Sequence, residues 1–308
     1  MENINFAIKT TGLTKQYGKH KAVDSVSINV ESGKIYGLLG RNGAGKTSIM
    51  KMLLNLTSVT SGNAYIFGKS ISEKHKEIYP RIGSIIETPG FYPHLSGHEN
   101  LKIFARLRRS VGKGAVQDAL KIVSLPYGDK KPFSKYSLGM KQRLGIANAL
   151  MNDPEILILD EPTNGLDPIG IAEMRNLIKD LSVRQGKTIL ISSHQLSEME
   201  QLVDNIGIIH KGVLLKESCM NDIEIANRKH ISVEVSNVNK AVFILENKFN
   251  TTDYLVSEAR IKIFDLLIET RQVNRALLKA DIDVDAISVN TGSLEEYFKS
   301  ITGGEGIA

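Results

Sequence analysis

Short apolar runs separated by turn residues dominate the first 80 residues of the chain. Examples are 26-VSINV-30, which is followed by a Glu-Ser-Gly turn, and 64-AYIFG-68, which is preceded by Ser-Gly-Asn. Glycine, asparagine and serine favour turns, and apolar runs of this length favour strands. The pattern therefore predicts antiparallel β structure packed around the apolar run 34-KIYGLL-39.

Helical spacing of apolar residues replaces this pattern between about Pro89 and Asn152. Apolar residues that recur every three or four positions form one face of a helix. Three segments have this spacing, and they are 98-HENLKIFARLRR-109, 114-GAVQDALKIVSL-125 and 139-GMKQRLGIANALM-151. We therefore predict a helical subdomain at about 89–152.

Two continuous apolar runs, 156-ILILD-160 and 188-TILISS-193, are typical of strands that are buried on both faces. The segment between them, 169-IGIAEMRNLIKDLSVRQG-186, has helical spacing and a glycine near its end. Strand, helix and strand at these lengths predict a βαβ unit. The run 206-IGIIHKGVLLKE-217 predicts a hairpin that turns at Lys211-Gly212.

The pattern changes again after Ser218, where strand-like and helical segments alternate. In order they are 231-ISVEVS-236, 238-VNKAVFILENKF-249, 253-DYLVSE-258, 260-RIKIFD-265, 267-LIETRQVNRALLKAD-281, 283-DVDAISVN-290 and 293-SLEEYFKSI-301. This order predicts a domain at 1–218 and a small accessory α+β domain of βαββαβ type at 219–308. The accessory domain contains no chemical motif that we identify, and a stability or docking module is its simplest interpretation.

Composition and charge are those of an ordinary globular protein, since 42% of the 308 residues are hydrophobic and 24% are charged. The net charge of +5 fits an anionic partner or none. The basic cluster 102-KIFARLRRSVGK-113 contains Ile103, Phe104 and Leu107 at helical spacing, which favours a solvated helix face over a nucleic-acid site.

A single cysteine, Cys219, excludes an internal disulfide and indicates a reducing compartment. No secretory signal and no run of about 18 apolar residues is evident, so a membrane role would require a partner chain.

The octet 40-GRNGAGKT-47 lies between an apolar run and the helix-like run 48-SIMKMLLNL-56. It fits the pattern G-x-x-x-x-G-K-[ST], in which backbone N–H groups surround phosphates at the start of a helix. In this interpretation Lys46 reaches the β- and γ-phosphates and the Thr47 hydroxyl binds Mg²⁺; the alternative is a merely flexible turn. The candidate nucleotide-binding residues here are Gly40, Arg41, Asn42, Gly43, Ala44, Gly45, Lys46, Thr47 and Ser48.

Two adjacent acids, Asp160 and Glu161, stand at the end of the second buried run. Parallel α/β sheets bind ligands at the carboxyl edge of their strands, where Asp160 would emerge. Its carboxylate is a candidate Mg²⁺ ligand, and Glu161 is a candidate for polarising the attacking water. Two adjacent acids here would be costly without a cation. The alternative, a helix N-cap before Pro162, is less favoured beside the octet.

The segment 136-YSLGMKQR-143 resembles the signature motif of ATP-binding-cassette (ABC) ATPases, with Ser137 and Gly139 in the expected places. The resemblance covers about residues 6–218. It implies a P-loop NTPase fold with a RecA-like α/β core, an antiparallel β subdomain and a helical subdomain, and it implies bound ATP and Mg²⁺.

Three further residues follow the family order. Tyr17, before the first long strand, resembles the aromatic that stacks on adenine. Asp167, in 164-NGLD-167, lies in the loop that joins two active sites in the family, and His194 resembles the switch histidine that touches the γ-phosphate. Taken singly, they would be a half-buried aromatic, a helix start before Pro168 and a structural histidine. Their order and spacing favour the family roles.

The resemblance also implies a dimer, because two cassettes of the family sandwich two ATP molecules head to tail. Ser137 and Gly139 of one copy would then face the γ-phosphate held by Lys46 of the other copy. Because the chain has one set of motifs, it would pair with a second copy of itself or with a sibling.

Two features depart from the family pattern. Glu87 stands where the family usually has a Gln that binds Mg²⁺ and contacts the membrane partner. A carboxylate would bind the metal and add a negative charge there, and the alternative is a surface residue after a strand end. Leu138, Met140 and Lys141 also differ from the commoner signature residues.

Glu87, the segment 86-IETPGFYPHLSGHENL-101 and the appended tail resemble the ATPase subunits of bacitracin-resistance and lantibiotic self-immunity exporters. These subunits also close with a helix like Leu294–Ile301. The resemblance implies a subunit at the cytoplasmic face of the membrane, bound to separate membrane-spanning permease subunits, that hydrolyses ATP to export a peptide antibiotic or similar amphiphile. Its catalytic residues would be Lys46, Glu161 and His194.

Other classes remain as alternatives. A soluble cassette ATPase acting on nucleic acid or ribosomes would have two cassettes in one chain or a long coiled-coil insertion, whereas about 90 residues separate Lys46 from Ser137. We therefore expect no nucleic-acid partner. A regulatory module without turnover should lack Glu161 or His194, and both are present. An exporter of an unrelated drug or lipid would share most of these motifs.

Overall fold

The computed structural model describes residues 5–87, 90–108, 111–226, 228–265, 267–290, 298–299 and 301–302. The chain forms two compact units, one that ends at Met220 and one that begins at Asn221. Each unit has its own apolar core. Among the described residues no helix combines the length and the apolar character that crossing a bilayer requires.

The strands of the first unit belong to two sheets. In chain order the described strands are β1 (Phe6–Tyr17), β2 (His20–Val26), β3 (Asn29–Glu31), β4 (Ile35–Leu39), β5 (Ser61–Ile66), β6 (Lys69–Ser70), β7 (Ile82–Ile85), β8 (Ile156–Asp160), β9 (Thr188–Ser193), β10 (Asn205–His210) and β11 (Val213–Cys219). One sheet is antiparallel with the order β2-β1-β5-β6, and β3 also pairs with β1. The antiparallel β structure expected near the N-terminus is thereby confirmed.

Two details of this sheet differ from the expectation. Tyr17 ends the long strand β1 rather than preceding it, because β1 stays paired with β2 up to the turn at Gly18, which has φ 57°. The run expected as one strand at 26–30 is divided between β2 and β3. The two halves pair with different parts of β1, so the chain must bend between them.

The second sheet has the order β11-β10-β4-β9-β8-β7, and its pairs are parallel except for the β10–β11 hairpin. Every residue of β4, β8 and β9 is buried, as expected for strands covered on both faces. The two buried strands and the hairpin turn at Lys211-Gly212 are confirmed. Because β4, β9 and β8 are parallel neighbours, the segments that follow them emerge side by side at one edge.

Helices connect and cover these strands. In the first unit they are α1 (Lys46–Leu53), α2 (His75–Ile78), α3 (Gly97–Arg108), α4 (Ala115–Ile122), α5 (Leu138–Leu150), α6 (Pro168–Val183) and α7 (Leu196–Glu200). Helices α3, α4 and α5 fall in the segment expected to be helical, and α6 completes the βαβ unit between β8 and β9. Helix α8 (Met220–Ala226) follows β11.

The second unit has the expected βαββαβ order. Its elements are β12 (His230–Val235), α9 (Val238–Lys248), β13 (Tyr254–Ser257), β14 (Arg260–Ile263), α10 (Thr270–Leu278) and β15 (Val284–Asn290). The strands form one antiparallel sheet in the order β13-β14-β12-β15. Helix α10 begins three residues later than expected, because Glu269 and Gln272 form a capping box that fixes its start. The helix expected at 293–301 lies largely outside the described residues.

Candidate functional site

The octet 40-GRNGAGKT-47 turns sharply between β4 and α1, and two glycines make this turn possible. A Cβ at Gly40 would lie 2.3 Å from the Ile209 carbonyl oxygen, and Gly45 has φ 110° with no room for a Cβ beside the Ala22 carbonyl. Only glycine fits both positions without moving the backbone. Residues 41–48, together with Ala22 and Glu161, line a cavity of about 150 Å³ at the α1 N-terminus, which we call the phosphate cavity after the predicted role of the octet.

Lys46 supplies a buried positive charge to this cavity, which Arg41 also lines. Its side chain is only 5% exposed, and its Nζ donates to the carbonyls of Gly40 at 2.6 Å and Arg41 at 3.3 Å. A buried ammonium is costly unless it is paired, and the Glu161 Oε1 atom lies 3.0 Å from Nζ. The loop thus holds a fixed cation where phosphate oxygens would arrive.

The Asp160 side chain, at the end of β8, joins the start of α1 to β9. Its Oδ2 accepts a hydrogen bond from Thr47 Oγ1 at 2.8 Å, and its Oδ1 accepts one from Ser192 Oγ at 2.6 Å. The sequence analysis did not select Ser192. The available signal was a polar serine within the otherwise apolar run 188-TILISS-193, which forms β9. The β8–β9 register pairs Asp160 with Ser192, which explains the contact.

The oxygen atoms of Thr47 and Asp160 are suitable ligands for magnesium. Thr47 and Asp160 offer a hydroxyl and a carboxylate oxygen in contact with each other, and Mg²⁺ prefers such hard oxygen ligands. No group of three or more His, Cys, Asp or Glu side chains suited to a metal occurs in the part of the chain that the structure describes. A Mg²⁺ ion needs no such group, since it usually takes one or two carboxylates plus phosphate oxygens and water.

The Glu161 carboxylate lies between Lys46 and His194, both of which were selected from the sequence. Its Oε1 forms the ion pair with Lys46, and its Oε2 lies 2.8 Å from His194 Nδ1. Its backbone has φ 47°, a left-handed conformation that is uncommon for residues other than glycine. The Glu161 N–H donates to Ser192 Oγ at 2.9 Å, which holds this conformation. The carboxylate is therefore fixed at the mouth of the phosphate cavity.

The signature residues line a different cavity, of about 430 Å³. Ser137 caps α5 by accepting from the Met140 N–H, and Asp167 caps α6 by accepting from the Gly170 N–H at 2.7 Å. Gly139 also lines this cavity. It shares no lining residue with the phosphate cavity, so the structure brings these residues to each other and not to Lys46.

Two residues selected from the sequence, Glu87 and Tyr17, line neither the phosphate cavity nor the cavity of Ser137 and Gly139. The Glu87 carboxylate, on a residue with φ 62°, lies 2.6 Å from Lys51 Nζ, one helical turn beyond Thr47 in α1. This hydrogen bond raises the pKa of the Lys51 amine. Tyr17 is half exposed, and its ring lies 4.8 Å from Lys15 Nζ. A half-exposed aromatic side chain can offer part of its ring for stacking on a planar group.

Comparison with known proteins agrees with this geometry. Residues 23–164 match the family model of the ABC transporter. The bacitracin transport ATP-binding protein BcrA of Enterococcus faecalis is 48% identical over 305 residues, which cover 99% of each chain. The lantibiotic transport ATP-binding protein SrtF of Streptococcus pyogenes is 47% identical over 210 residues, which cover 68% of this chain and 90% of that protein.

A solved ATP-binding subunit of an ABC transporter superposes with a TM-score of 0.63 at 26% identity. The match covers 71% of this chain and 92% of that structure. The expected P-loop NTPase fold of an ABC ATPase is therefore confirmed. Identity of nearly one half along the whole length decides the family, and this chain belongs to the ABC transporters as one of their ATP-binding, ATP-hydrolysing subunits.

Proposed function

We propose that this subunit hydrolyses ATP to power the export of a peptide antibiotic of the bacitracin or lantibiotic kind. The observation that carries the cargo class is the 48% identity with a bacitracin transport ATP-binding protein over 99% of both chains. Likeness over the whole length includes the second unit, which contains none of the nucleotide motifs. The similarity to a lantibiotic transport protein supports the same class.

The chemistry of the proposal is phosphoryl transfer to water, which depends on positioning and on charge neutralisation. Lys46 and the N–H groups of the octet bind the phosphates. Glu161 polarises the attacking water, and His194 orients Glu161 and contacts the γ-phosphate. Thr47 and Asp160, with Glu87, would hold Mg²⁺, which supplies positive charge at the phosphates when bound. Tyr17 stacks on the adenine.

A second copy of the chain completes the site in this proposal. Ser137, Gly139 and Asp167 line a cavity that is separate from the phosphate cavity, which supports a role toward the ATP of a partner rather than toward their own. The N-terminus of α5 is part of that cavity, and the N-terminus of a helix attracts anions.

Passage of the cargo is assigned to separate membrane-spanning permease subunits, with this chain at the cytoplasmic face. The support is that the relatives are named as ATP-binding proteins of transport. No nucleic-acid partner is part of the proposal. Recovery of polytopic membrane chains, rather than RNA, with the purified protein would favour it over a soluble cassette ATPase.

Deletion of the gene tests the cargo class. We expect the deleted strain to become more sensitive to bacitracin or to a lantibiotic, because the exporter would lose its energy source. Wild-type protein should restore resistance, and the Glu161→Gln variant should not. Minimum inhibitory concentrations for both antibiotic classes provide the measurement, and unchanged sensitivity to both would contradict the proposal.

Glu87 has its own test, because its role as a metal ligand is proposed from the family position of Gln. We expect Glu87→Ala to raise the Mg²⁺ concentration for half-maximal hydrolysis by about 10-fold, in line with the loss of one outer ligand, and Glu87→Gln to have a smaller effect. Loss of the exposed Lys51 pair should hardly change stability. Glu77→Ala, which breaks the similarly exposed Lys69 pair, is the matched control. Equal Mg²⁺ dependence in all variants would remove Glu87 from the metal site.

A further inference from the structure

We propose that Glu198 and Thr163 form a positioning link that fixes the geometry of the Glu161–His194 pair. The inference rests on the proposed roles of Glu161 and His194. Neither member of the link lines the phosphate cavity, so neither is expected to touch ATP. The link would act through the backbone segments on which the catalytic side chains stand.

The two residues meet deep in the first unit. Thr163 Oγ1 donates a hydrogen bond of 2.5 Å to Glu198 Oε2. The residues are 4% and 7% exposed. Hydrogen bonds to a charged acceptor are among the stronger ones in proteins, and burial removes the competition of water. The contact is therefore suited to holding two segments in one arrangement.

The segments that it joins are those of the catalytic pair. Thr163 follows Glu161 by two residues, and Glu198, in α7, follows His194 by four. These segments leave β8 and β9, which are neighbouring parallel strands. They are thus joined twice beyond the sheet, once by His194 Nδ1 with Glu161 Oε2 and once by Thr163 with Glu198. Two joints define the relative orientation of two segments far better than one.

Thr163 also starts the turn that leads to the cavity lined by Ser137, Gly139 and Asp167. The Leu166 N–H donates to the Thr163 carbonyl at 3.1 Å, in the turn that leads to Asp167. The Asn164 N–H donates to the Glu161 carbonyl at 3.1 Å. A shift of Thr163 would thus move both the catalytic carboxylate and the loop that lines the other cavity.

The cost of the arrangement supports a functional origin. Glu198 Oε1 is buried and has no hydrogen-bond partner among the described residues. A buried carboxylate that keeps an oxygen unpaired destabilises the fold, and an apolar pair of the same size would pack there at lower cost. Stability alone therefore does not explain an acid at this position.

Four variants of the full chain test the link. Thr163→Ser keeps the hydroxyl, and Thr163→Val removes it with little change of shape. The double variant Thr163→Val/Glu198→Met removes both polar groups, which leaves no unpaired partner and should unfold near the wild-type temperature. Glu161→Gln serves as the reference for the catalytic site.

We expect Thr163→Val and the double variant to lose about 10–100-fold in kcat, which is the effect of small misplacements of catalytic groups. KM for ATP should stay within about 2-fold, since the phosphate cavity is untouched. Thr163→Ser should keep nearly wild-type turnover. Phosphate release at saturating and limiting ATP, with thermal unfolding of each variant, gives these values.

The outcomes distinguish failure of the Thr163–Glu198 link from failure of the proposed roles of Glu161 and His194. Wild-type kcat in a folded double variant would overturn the link, and so would equal losses in the Ser and Val variants. If Glu161→Gln also kept wild-type turnover, the assignment of the catalytic pair would fail, and the link would fail with it. A low kcat in a double variant of wild-type stability would exclude a purely structural role.

Discussion

Replacing Glu161 by glutamine should lower ATP turnover by about 10²–10⁴-fold, the usual contribution of a general base. Glutamine keeps the size of the side chain and still reaches His194, but its amide cannot accept the proton of the attacking water. Lys46 and the octet are unchanged, so ATP should still bind. Binding should even tighten, because the ion pair between Glu161 and Lys46 no longer competes with the phosphates.

Phosphate release and equilibrium binding of ATP measure the two effects separately. With hydrolysis blocked and binding kept, the variant should also accumulate as an ATP-bound dimer, which light scattering detects. Glu155→Gln is the matched control, since it removes the same charge just before the opposite end of β8, where Glu155 pairs with Arg81 on the surface. Full turnover in Glu161→Gln would refute the role of Glu161.

The local chemistry of this site could be predicted from the sequence because each requirement is encoded by residue type. Gly40 and Gly45 occupy positions where a Cβ would strike backbone, and this requirement leaves a pattern that is visible without a structure. The same holds for β8 and β9, whose burial on both faces demands continuous apolar runs. Parallel pairing of β8 with β9, and of β9 with β4, then places Asp160 and the octet at the same edge of the sheet.

Contacts between distant segments could not be predicted in this way. Ser192 and Asp160 are 32 positions apart, and Thr163 and Glu198 are 35 apart, so their meeting depends on the register of β8 against β9. A single sequence shows that these residues are polar, but it does not show that they face each other. Glu87 illustrates the same limit, since its pairing with Lys51 follows from the turn after β7 and not from its own neighbours in the chain.

The largest qualitative effect is expected from mixing two inactive variants. Lys46→Ala removes the buried ammonium group of the phosphate cavity, and Gly139→Asp places a negative charge where the partner's γ-phosphate should lie. A Cβ at Gly139 meets only the end of the Leu166 side chain, at 3.8 Å, so the fold should tolerate the change. In a symmetric dimer each site would combine Lys46 of one chain with Gly139 of the other.

Each variant alone should therefore be inactive, because both of its sites are damaged. A mixed dimer has one site with both changes and one site with neither. If chains pair at random and sites act independently, an equimolar mixture should recover about a quarter of wild-type turnover. Phosphate release, with light scattering to confirm the dimers, provides the measurement.

The control replaces the Gly139→Asp chain by a Lys46→Ala/Gly139→Asp chain. Mixed with Lys46→Ala, it offers no site with an intact lysine, so no activity should return. Recovery in the first mixture alone would mean that the two cavities act together only across chains, as expected from cavities that share no lining residue. If the first mixture stayed inactive despite forming dimers, and the sites act independently, Ser137, Gly139 and Asp167 would have no part in the partner's site, and ATP cleavage would have to be completed within one chain.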